Sequence, residues 1–316
     1  MGRRRERNSV GVSRANGGER MMQADRLTAE EQSAILADRY SLRAEAYDAL
    51  WSPVIRPVGE RLLAHLPLSG ASNVIDVGTG AGALLPAIQK AAPKATVLGV
   101  DSSEGMLRLA GQKHRGPLAL MDVQNLSLPD SRFDVAVVAF VLFHLPSPER
   151  CLQEVHRVLR SGGTVGTVTW AAETSPSANT IWEEELEAAG AHVVELPAVD
   201  NRSSCDTAEK VASLMEQAGL TLIKAWNESL EHRWRPEDHF EYQLRSNSCL
   251  RLQSLSVDAR AACLQRVRDR LVGQGDGQYL YRGEVVVATA VKGDGSGLGA
   301  PHEKTSGSFV EGGNNG

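Results

Sequence analysis

The sequence has few cysteines, no long apolar run and no strong excess of either charge. Its four cysteines form no C-x-x-C pair and no histidine cluster accompanies them. A metal site or disulfide framework is therefore not expected, and a reduced, cytoplasmic protein is the simplest interpretation. No run approaches the roughly 18 apolar residues of a membrane-spanning helix, and the basic N-terminus lacks the apolar stretch of a signal peptide. The formal net charge of −5 gives no general attraction to nucleic acid or to anionic membranes.

The composition that remains is that of a globular domain with a polar segment at each end. Apolar residues make up 42% of the chain and charged residues 23%, close to the average for globular proteins. Residues 1–24 are rich in Arg, Gly, Ser and Asn, which predicts a disordered basic arm. Residues 293–316 are rich in Gly and Ser, which predicts a disordered tail. We expect one domain over residues 25–292.

Within this domain, helical patterns and strand patterns alternate. Residues 27–65 predict N-terminal helices, because Tyr40, Tyr47 and Trp51 share one helical face. Pro53 and Pro57 are expected to break or kink the chain. The predicted strands are Val74–Val77, Thr96–Val100, Leu118–Met121, Phe133–Phe140, Thr164–Trp170, Leu220–Trp226 and Gly283–Val291. Strands alternating with amphipathic segments predict an α/β fold with a parallel sheet covered on both faces.

The strongest functional signal is a glycine-rich turn directly after the first strand, where residues 74–82 read VIDVGTGAG. Glycine lets the backbone turn tightly and approach a ligand without a Cβ clash. The helix that follows presents free N–H groups at the carboxyl edge of the sheet, where ligands bind in open α/β folds. Gly78, Gly80 and Gly82 therefore predict a ligand-binding turn, with an ordinary tight turn as the alternative.

Acidic residues follow the next two strands. Asp101 lies 23 positions after Gly78 and can accept hydrogen bonds from two ribose hydroxyls. The alternative is a helix N-cap at the same place. Asp122 follows the third strand, where a carboxylate beside the N–H of Val123 can pair with an adenine edge. The alternative for Asp122 is a solvated loop position.

The glycine turn alone leaves two cofactors open. Gly78, Gly80 and Ala83 fit the pattern G-x-G-x-x-A, which would make the protein an NAD(P)-dependent oxidoreductase. Asp76 argues against this alternative, since a carboxylate there would repel a pyrophosphate but can face the ammonium of an amino acid. The sequence also has no Tyr-x-x-x-Lys pair and no P-loop.

Residues 73–170 resemble the core of the Rossmann-like (class I) S-adenosylmethionine-dependent methyltransferases, and most closely the ubiquinone and menaquinone C-methyltransferase group. The glycine turn resembles the first motif of that family, and Val100-Asp101 with Gly105-Met106-Leu107 resembles the second. Met121-Asp122-Val123 resembles the third. Further likeness lies in residues 132–135, 142–145 and 154–163. The resemblance implies a doubly wound, mostly parallel seven-stranded sheet, S-adenosylmethionine as cofactor and a small-molecule acceptor.

The resemblance also implies roles at the methionine and ribose parts of the cofactor. Gly78, Gly80 and Gly82 would hold the backbone around these parts. Asp76 would orient the methionine amino group, and Asp101 would bind the ribose hydroxyls.

At the adenine part, the resemblance assigns four residues. Ser102 and Met106 would border the ring. Asp122 would accept a hydrogen bond from the adenine amino group, and the N–H of Val123 would donate to the ring.

The reacting groups are less well determined by the sequence. A sulfonium methyl group is already electrophilic, so the protein chiefly supplies alignment and desolvation. His144 follows the fourth strand and is the candidate catalytic base, since histidine titrates near neutral pH. A structural histidine is the alternative. Tyr47 is a candidate cofactor contact from the N-terminal helices and Tyr40 a weaker one, with helix packing as the alternative for both.

The acceptor region is predicted within residues 171–282, where the helical pattern over 235–272 is interpreted as a cap insertion. Its arginines between Arg233 and Arg270 fit a solvated helix face better than contacts to an anionic substrate. A non-catalytic protein that keeps the fold and the cofactor is a further alternative. The sequence leaves the acceptor atom and the oligomeric state open.

Overall fold

A seven-stranded sheet forms the centre of the protein. The structure is a computed structural model that describes residues 27–192, 201–246 and 248–294. The strands are β1 (Asn73–Val77), β2 (Thr96–Asp101), β3 (Leu118–Leu120), β4 (Phe133–Ala139), β5 (Leu159–Thr174), β6 (Leu220–Arg233) and β7 (Leu280–Lys292). Their order in the sheet is β3-β2-β1-β4-β5-β7-β6. The predicted arm over 1–24 and most of the predicted tail over 293–316 lie outside the described residues.

All strands run parallel except β7, which lies antiparallel between β5 and β6. The predicted α/β fold with a mostly parallel, seven-stranded sheet is confirmed. The central strands are buried on both faces, with Val74, Ile75 and Val135 at 0% exposure. This burial explains why β1 and β4 carry apolar residues on both faces rather than in an alternating pattern.

Helices cover both faces of this sheet. They are α1 (Ala29–Ala46), α2 (Ser52–Leu63), α3 (Leu85–Ala91), α4 (Glu104–Lys113), α5 (Pro148–Val158), α6 (Ala178–Ala188), α7 (Ala208–Gln217), α8 (Pro236–Arg245), α9 (Ser248–Gln253) and α10 (Val257–Leu271). A π-helical turn, Tyr47–Trp51, joins α1 to α2.

The chain does not break at Pro53 or Pro57, because α2 runs through both residues. The kink expected as the alternative stays a prediction. Pro57 removes one helical hydrogen bond, and the burial of Val54, Val58 and Leu62 against the sheet holds the helix together. The π-helical turn lies directly before the two prolines.

Helix α1 is held close to the start of α4. The hydroxyl of Ser41 lies 2.8 Å from that of Ser103 and accepts from the N–H of Gly105 at 3.2 Å. A Cβ on residue 105 would lie 2.6 Å from the carbonyl oxygen of Ser41, so only glycine permits this approach. The close approach places α1 over the carboxyl edge of β1 and β2.

Residues 171–282, which were predicted as the substrate and cap region, contribute both a strand of the sheet and several helices. The strand is β6, and helices α6, α8, α9 and α10 lie in the connections before and after it. The arginines of α10 are exposed, as expected for a solvated helix face. Arg266 and Arg270 also donate to the carboxylate of Glu185 on α6 at 2.7 and 2.9 Å, and these ion pairs join the two helices.

Candidate active site

The strand order reverses between β1 and β4, because the chain proceeds from β1 to β2 on one side and from β4 to β5 on the other. Ligands in open α/β sheets bind outside the carboxyl ends of the strands at such a point. The glycine turn follows β1 here, and a 3-10 turn, Leu142–His144, follows β4. Two neighbouring cavities open at this position.

The three predicted glycines adopt left-handed backbone conformations, with φ of 71° at Gly78, 54° at Gly80 and 74° at Gly82. Their surroundings differ. A Cβ on Gly78 would collide with the side chain of Val141, whereas a Cβ on Gly80 would meet nothing within 4 Å. A Cβ on Gly82 would lie 3.0 Å from Ala110 of α4. Gly82 therefore packs the turn against a helix, and its predicted role of holding the backbone around the cofactor stays a prediction.

The smaller cavity, which we name the inner cavity, has a volume of about 130 Å³ and lies between α1 and the glycine turn. Of the predicted site residues, Gly82 and Asp122 lie outside its described lining. The other predicted residues line it together: Asp76, Gly78, Gly80, Asp101, Ser102, Met106, Val123, Tyr47 and His144.

Asp76 is a buried carboxyl group at the end of β1, with 2% of its surface exposed. Its Oδ2 accepts a hydrogen bond from the hydroxyl of Thr79 at 2.6 Å. Burial raises the pKa of Asp76 to about 7, against the opposing effect of the Thr79 hydrogen bond, and the nearby charge of Asp101 raises it further. The sequence did not single out Thr79, although it lies within the glycine turn.

Asp101 joins the glycine turn to the loop before α4. Its Oδ2 accepts from the N–H of Gly80 and its Oδ1 from the N–H of Ser103, both at 2.8 Å. Burial raises the pKa of Asp101, and these backbone hydrogen bonds act in the opposite direction. The helix N-cap left open for Asp101 is instead Ser103, whose hydroxyl accepts from the N–H of Met106 at 3.3 Å.

Asp122 is turned away from the inner cavity. Its carboxylate is exposed and accepts from the N–H of Gln124, two residues ahead, at 2.9 Å. This local turn is a preferred arrangement for aspartate in loops. The neighbouring Val123 is buried and does line the cavity, so the structure places only the second residue of the predicted pair at the site.

His144 and Tyr40 meet where the two cavities adjoin. The Nε2 atom of His144 lies 2.7 Å from the hydroxyl of Tyr40 on α1, although the two residues are 104 positions apart. Tyr47 packs edge-on against Tyr40, with ring centroids 5.5 Å apart. Burial raises the pKa of both tyrosines well above the usual value, so both hydroxyl groups remain protonated near neutral pH.

Phe140 is a site residue that sequence reasoning missed. It follows β4 directly, lines both cavities and has a φ of 58°. A non-glycine residue rarely adopts this left-handed conformation, and such strain concentrates at functional sites. Its ring centroid lies 4.9 Å from that of Trp170. No sequence pattern indicates this backbone conformation, because the surrounding packing imposes it.

The larger cavity, which we name the outer cavity, has a volume of about 530 Å³. It adjoins the inner cavity at residues that line both, among them Tyr40, Tyr47, Phe140 and His144. Trp51 and Tyr242 line it with nearly parallel rings, 5.4 Å between centroids and 16° between planes. Trp170, whose role the sequence left open, is buried and also lines this cavity.

Two kinds of feature are absent from the described part of the chain. Residues 27–192, 201–246 and 248–294 contain no cluster of three His, Cys, Asp or Glu side chains that could hold a metal ion. Within the same ranges, no helix combines the length and apolar character that crossing a membrane requires.

Comparison with known proteins finds methyltransferases that are similar to this part of the chain. A family model described as a methyltransferase domain matches residues 75–166. A phosphatidylethanolamine N-methyltransferase of Cereibacter sphaeroides is 34% identical over 140 residues, which cover 42% of this chain and 67% of that protein. The ubiquinone/menaquinone biosynthesis C-methyltransferase UbiE of Burkholderia mallei is 30% identical over 180 residues, covering 52% of this chain and 74% of that protein.

A third relative is similar over a shorter part of its own length. A malonyl-acyl-carrier-protein O-methyltransferase of a Marinomonas species is 29% identical over 151 residues, which cover 46% of this chain and 56% of that protein. The chain spans between about half and about three quarters of the length of the curated relatives it matches, from 49% to 74%. By their names, these relatives methylate nitrogen, carbon and oxygen, so the similarity does not select one acceptor atom.

Proposed function

Because the chain belongs to the class I S-adenosylmethionine-dependent methyltransferases, we propose that it transfers a methyl group from S-adenosylmethionine to a small-molecule acceptor. The observation that carries this proposal is the arrangement of the two cavities. The inner cavity gathers the glycine turn, Asp76 and Asp101, and it adjoins an aromatic outer cavity large enough for a small organic molecule.

The residues of the inner cavity fit the cofactor. Asp76 is a buried carboxyl group that an ammonium group would complement, since an opposite charge favours the ionised form. Asp101 adds a second carboxylate at the next strand end. The buried side chains of Met106 and Val123 provide apolar walls for a flat ring. The glycine turn lets the backbone come close to the ligand.

The cofactor, when bound, supplies an electrophilic methyl group on a sulfonium. The protein residues bind, orient and exclude water. Asp76 would hold the amino group, and Gly78 and Gly80 leave room beside it. Tyr40, Tyr47 and Phe140 lie where the two cavities adjoin and line both of them. Alignment of this kind accounts for several kcal/mol of barrier lowering without a nucleophilic side chain.

The first test is calorimetric titration with S-adenosylmethionine, S-adenosylhomocysteine and NAD in parallel. We expect the first two to bind and NAD to give no heat, since Asp76 would repel a pyrophosphate. Binding of NAD alone would support the oxidoreductase alternative. A subsequent acceptor screen separates an enzyme from a non-catalytic protein, because only an enzyme converts S-adenosylmethionine to S-adenosylhomocysteine.

His144 is the proposed base for acceptors that must lose a proton. Its Nε2 atom lies at the junction of the cavities, 2.7 Å from the hydroxyl of Tyr40. A base would use this nitrogen to take the proton of an acceptor group, so the acceptor would have to displace the Tyr40 hydroxyl. In this arrangement, Tyr40 of α1 stays in contact with the proposed base until the acceptor enters.

We expect His144→Gln to lower kcat by about 10²- to 10⁴-fold, the usual contribution of a general base, and to remove the acid limb of the kcat profile against pH. The affinity for S-adenosylhomocysteine should change little. His156→Gln on α5, outside both cavities, is the matched control and should leave kcat unchanged. If His144→Gln retains both kcat and the acid limb, His144 is a structural residue.

Three statements remain predictions from the sequence: the absence of nucleic-acid partners, a cytoplasmic location and a domain that spans residues 25–292.

A further inference from the structure

The outer cavity combines positive charge with flat aromatic walls. Among its described lining residues are four arginines, Arg39, Arg43, Arg202 and Arg245, and no aspartate or glutamate. Arg202 pairs with Glu173 and Arg245 with Glu241. Arg39 and Arg43 both lie on α1 and form a second part of this charged wall.

The charges of α1 are segregated around the helix. Glu45 pairs with Arg108 on α4 at 3.1 Å, and Asp48 in the following π-helical turn pairs with Lys113 of α4. The acidic groups of this segment are thus directed towards α4. Arg39 and Arg43 are one helical turn apart and both line the outer cavity on another side.

Two like charges one turn apart oppose each other on a helix. Burial and the charge of Arg43 both lower the pKa of Arg39. Both arginines also interact with other groups of the protein, and a ligand anion would add to these interactions. An anion between the two guanidinium groups would offset their repulsion, and guanidinium matches the geometry of carboxylate and phosphate oxygens.

The remaining walls suit a flat ring. Trp51 stacks on Tyr242, and its centroid lies 6.2 Å from that of Trp170. Phe140, in its strained conformation, packs against Trp170 from the side of the inner cavity. A ligand ring can pack against such aromatic surfaces in stacked or edge-on arrangements.

A polar group is also held in place at this cavity. The Oδ1 atom of Asn179 faces Nε2 of His239 at 2.6 Å and Nε2 of Gln243 at 2.8 Å. Burial lowers the pKa of His239 to about 4, so this histidine is neutral at pH 7. Asn179 lines the outer cavity, and the amide N–H groups of an asparagine can donate to an acceptor oxygen on a ligand.

We propose that the methyl acceptor is a planar aromatic molecule carrying a carboxylate or phosphate group, with its anion bound by Arg39 and Arg43 and its ring against Trp51, Trp170 and Tyr242. This proposal rests on the proposed function only in assigning the outer cavity to the acceptor. The anionic group then determines which aromatic molecules are accepted.

The test measures binding of ring compounds that differ in charge, by tryptophan fluorescence and calorimetry with S-adenosylhomocysteine present. The probes are 2-naphthoate, 2-naphthyl phosphate, the neutral 2-naphthalenemethanol and the aliphatic anion octanoate. We expect the better of the two aromatic anions to bind at least about tenfold more tightly than the neutral compound and than octanoate, as is usual for charge-assisted hydrogen bonds. The naphthoate and phosphate arms distinguish the two anionic groups.

The double variant Arg39→Gln/Arg43→Gln should reduce the preference for the anion about tenfold or more, while the affinity for S-adenosylhomocysteine stays unchanged and reports an intact fold. Arg235→Gln is the control, since Arg235 is exposed and lies outside the described lining of both cavities.

Equal binding of neutral and anionic rings to the unaltered protein overturns the proposal without any variant. An unchanged preference in the double variant, or octanoate binding as tightly as the aromatic anions, also overturns it. Failure of S-adenosylhomocysteine to bind would instead contradict the proposed function.

Discussion

Replacing Asp76 by asparagine is expected to weaken S-adenosylmethionine binding about 10- to 100-fold and at the same time to stabilise the ligand-free protein. The loss follows because a hydrogen bond to a charged partner contributes roughly 1.5–3 kcal/mol. The gain follows because asparagine keeps the oxygen that accepts from Thr79 without the burial of a charge. Calorimetry measures the first effect, and thermal unfolding of the ligand-free protein measures the second.

The pH dependence of cofactor affinity and of the free energy of unfolding follows from the raised pKa of Asp76. An ordinary aspartate has a pKa of about 3.8, and burial raises that of Asp76 to about 7. The folded protein therefore holds this proton more tightly than the unfolded chain, so the free energy of unfolding should fall as pH rises from about 4 to about 7. Cofactor affinity should rise over the upper part of this range, because the ammonium group needs the ionised carboxylate. In Asp76→Asn the contribution of this group to both dependences should disappear.

Asp122→Asn is the matched control, since it makes the same chemical change at the exposed carboxylate that bonds to Gln124. We expect less than about a twofold change in affinity for the cofactor, because asparagine also accepts in such turns. A large loss in Asp122→Asn would restore the adenine contact predicted from the sequence. Equal affinity in Asp76→Asn and the unaltered protein would remove Asp76 from the cofactor site.

Alanine substitutions at Gly78 and Gly80 should separate stability from cofactor binding. Both residues have positive φ, and an L-residue in this conformation costs roughly 1–2 kcal/mol. At Gly78 the added Cβ also collides with Val141, which adds about 1–3 kcal/mol of overpacking. We expect Gly78→Ala to lower the free energy of unfolding by about 2–5 kcal/mol, measured by denaturant titration.

Gly80→Ala should lower stability by only about 1–2 kcal/mol, because its Cβ enters open space. That space belongs to the inner cavity, so the larger effect of Gly80→Ala should be a loss of affinity for S-adenosylhomocysteine. Equal destabilisation by the two variants would show that Val141 moves aside without cost. Unchanged affinity in Gly80→Ala would show that the cofactor does not approach this part of the turn.

The sheet and most of the inner cavity could be predicted from the sequence because the relevant signals are local. The β-branched run before Gly78 indicates a buried strand, and three glycines within five positions indicate a tight turn. The family resemblance assigned Asp76 and Asp101 to one cofactor, and both line the inner cavity. The resemblance to a methyltransferase core is likewise carried by such contiguous motifs.

Side-chain direction in the loops was decided only by the tertiary structure. Asp122 and Asp101 both follow strands, yet Asp122 turns outward to Gln124 while Asp101 bonds to the distant Gly80. Gly82 packs on Ala110 because α4 lies beside the glycine turn in the folded protein. These differences depend on neighbours far away in the chain, which no local pattern contains.

The sequence by itself therefore determined the fold, the family and the position of the cofactor turn. These features depend on apolar periodicity and on glycine positions, which are patterns among neighbouring residues. The tertiary structure alone brought Tyr40 to His144, placed Arg39 and Arg43 opposite Trp170, and forced Phe140 into a left-handed conformation. The physical reason is that the outer cavity is built from α1, the loop after β4 and the helices around β6. Packing of these distant segments, rather than any one of them, creates its shape and charge.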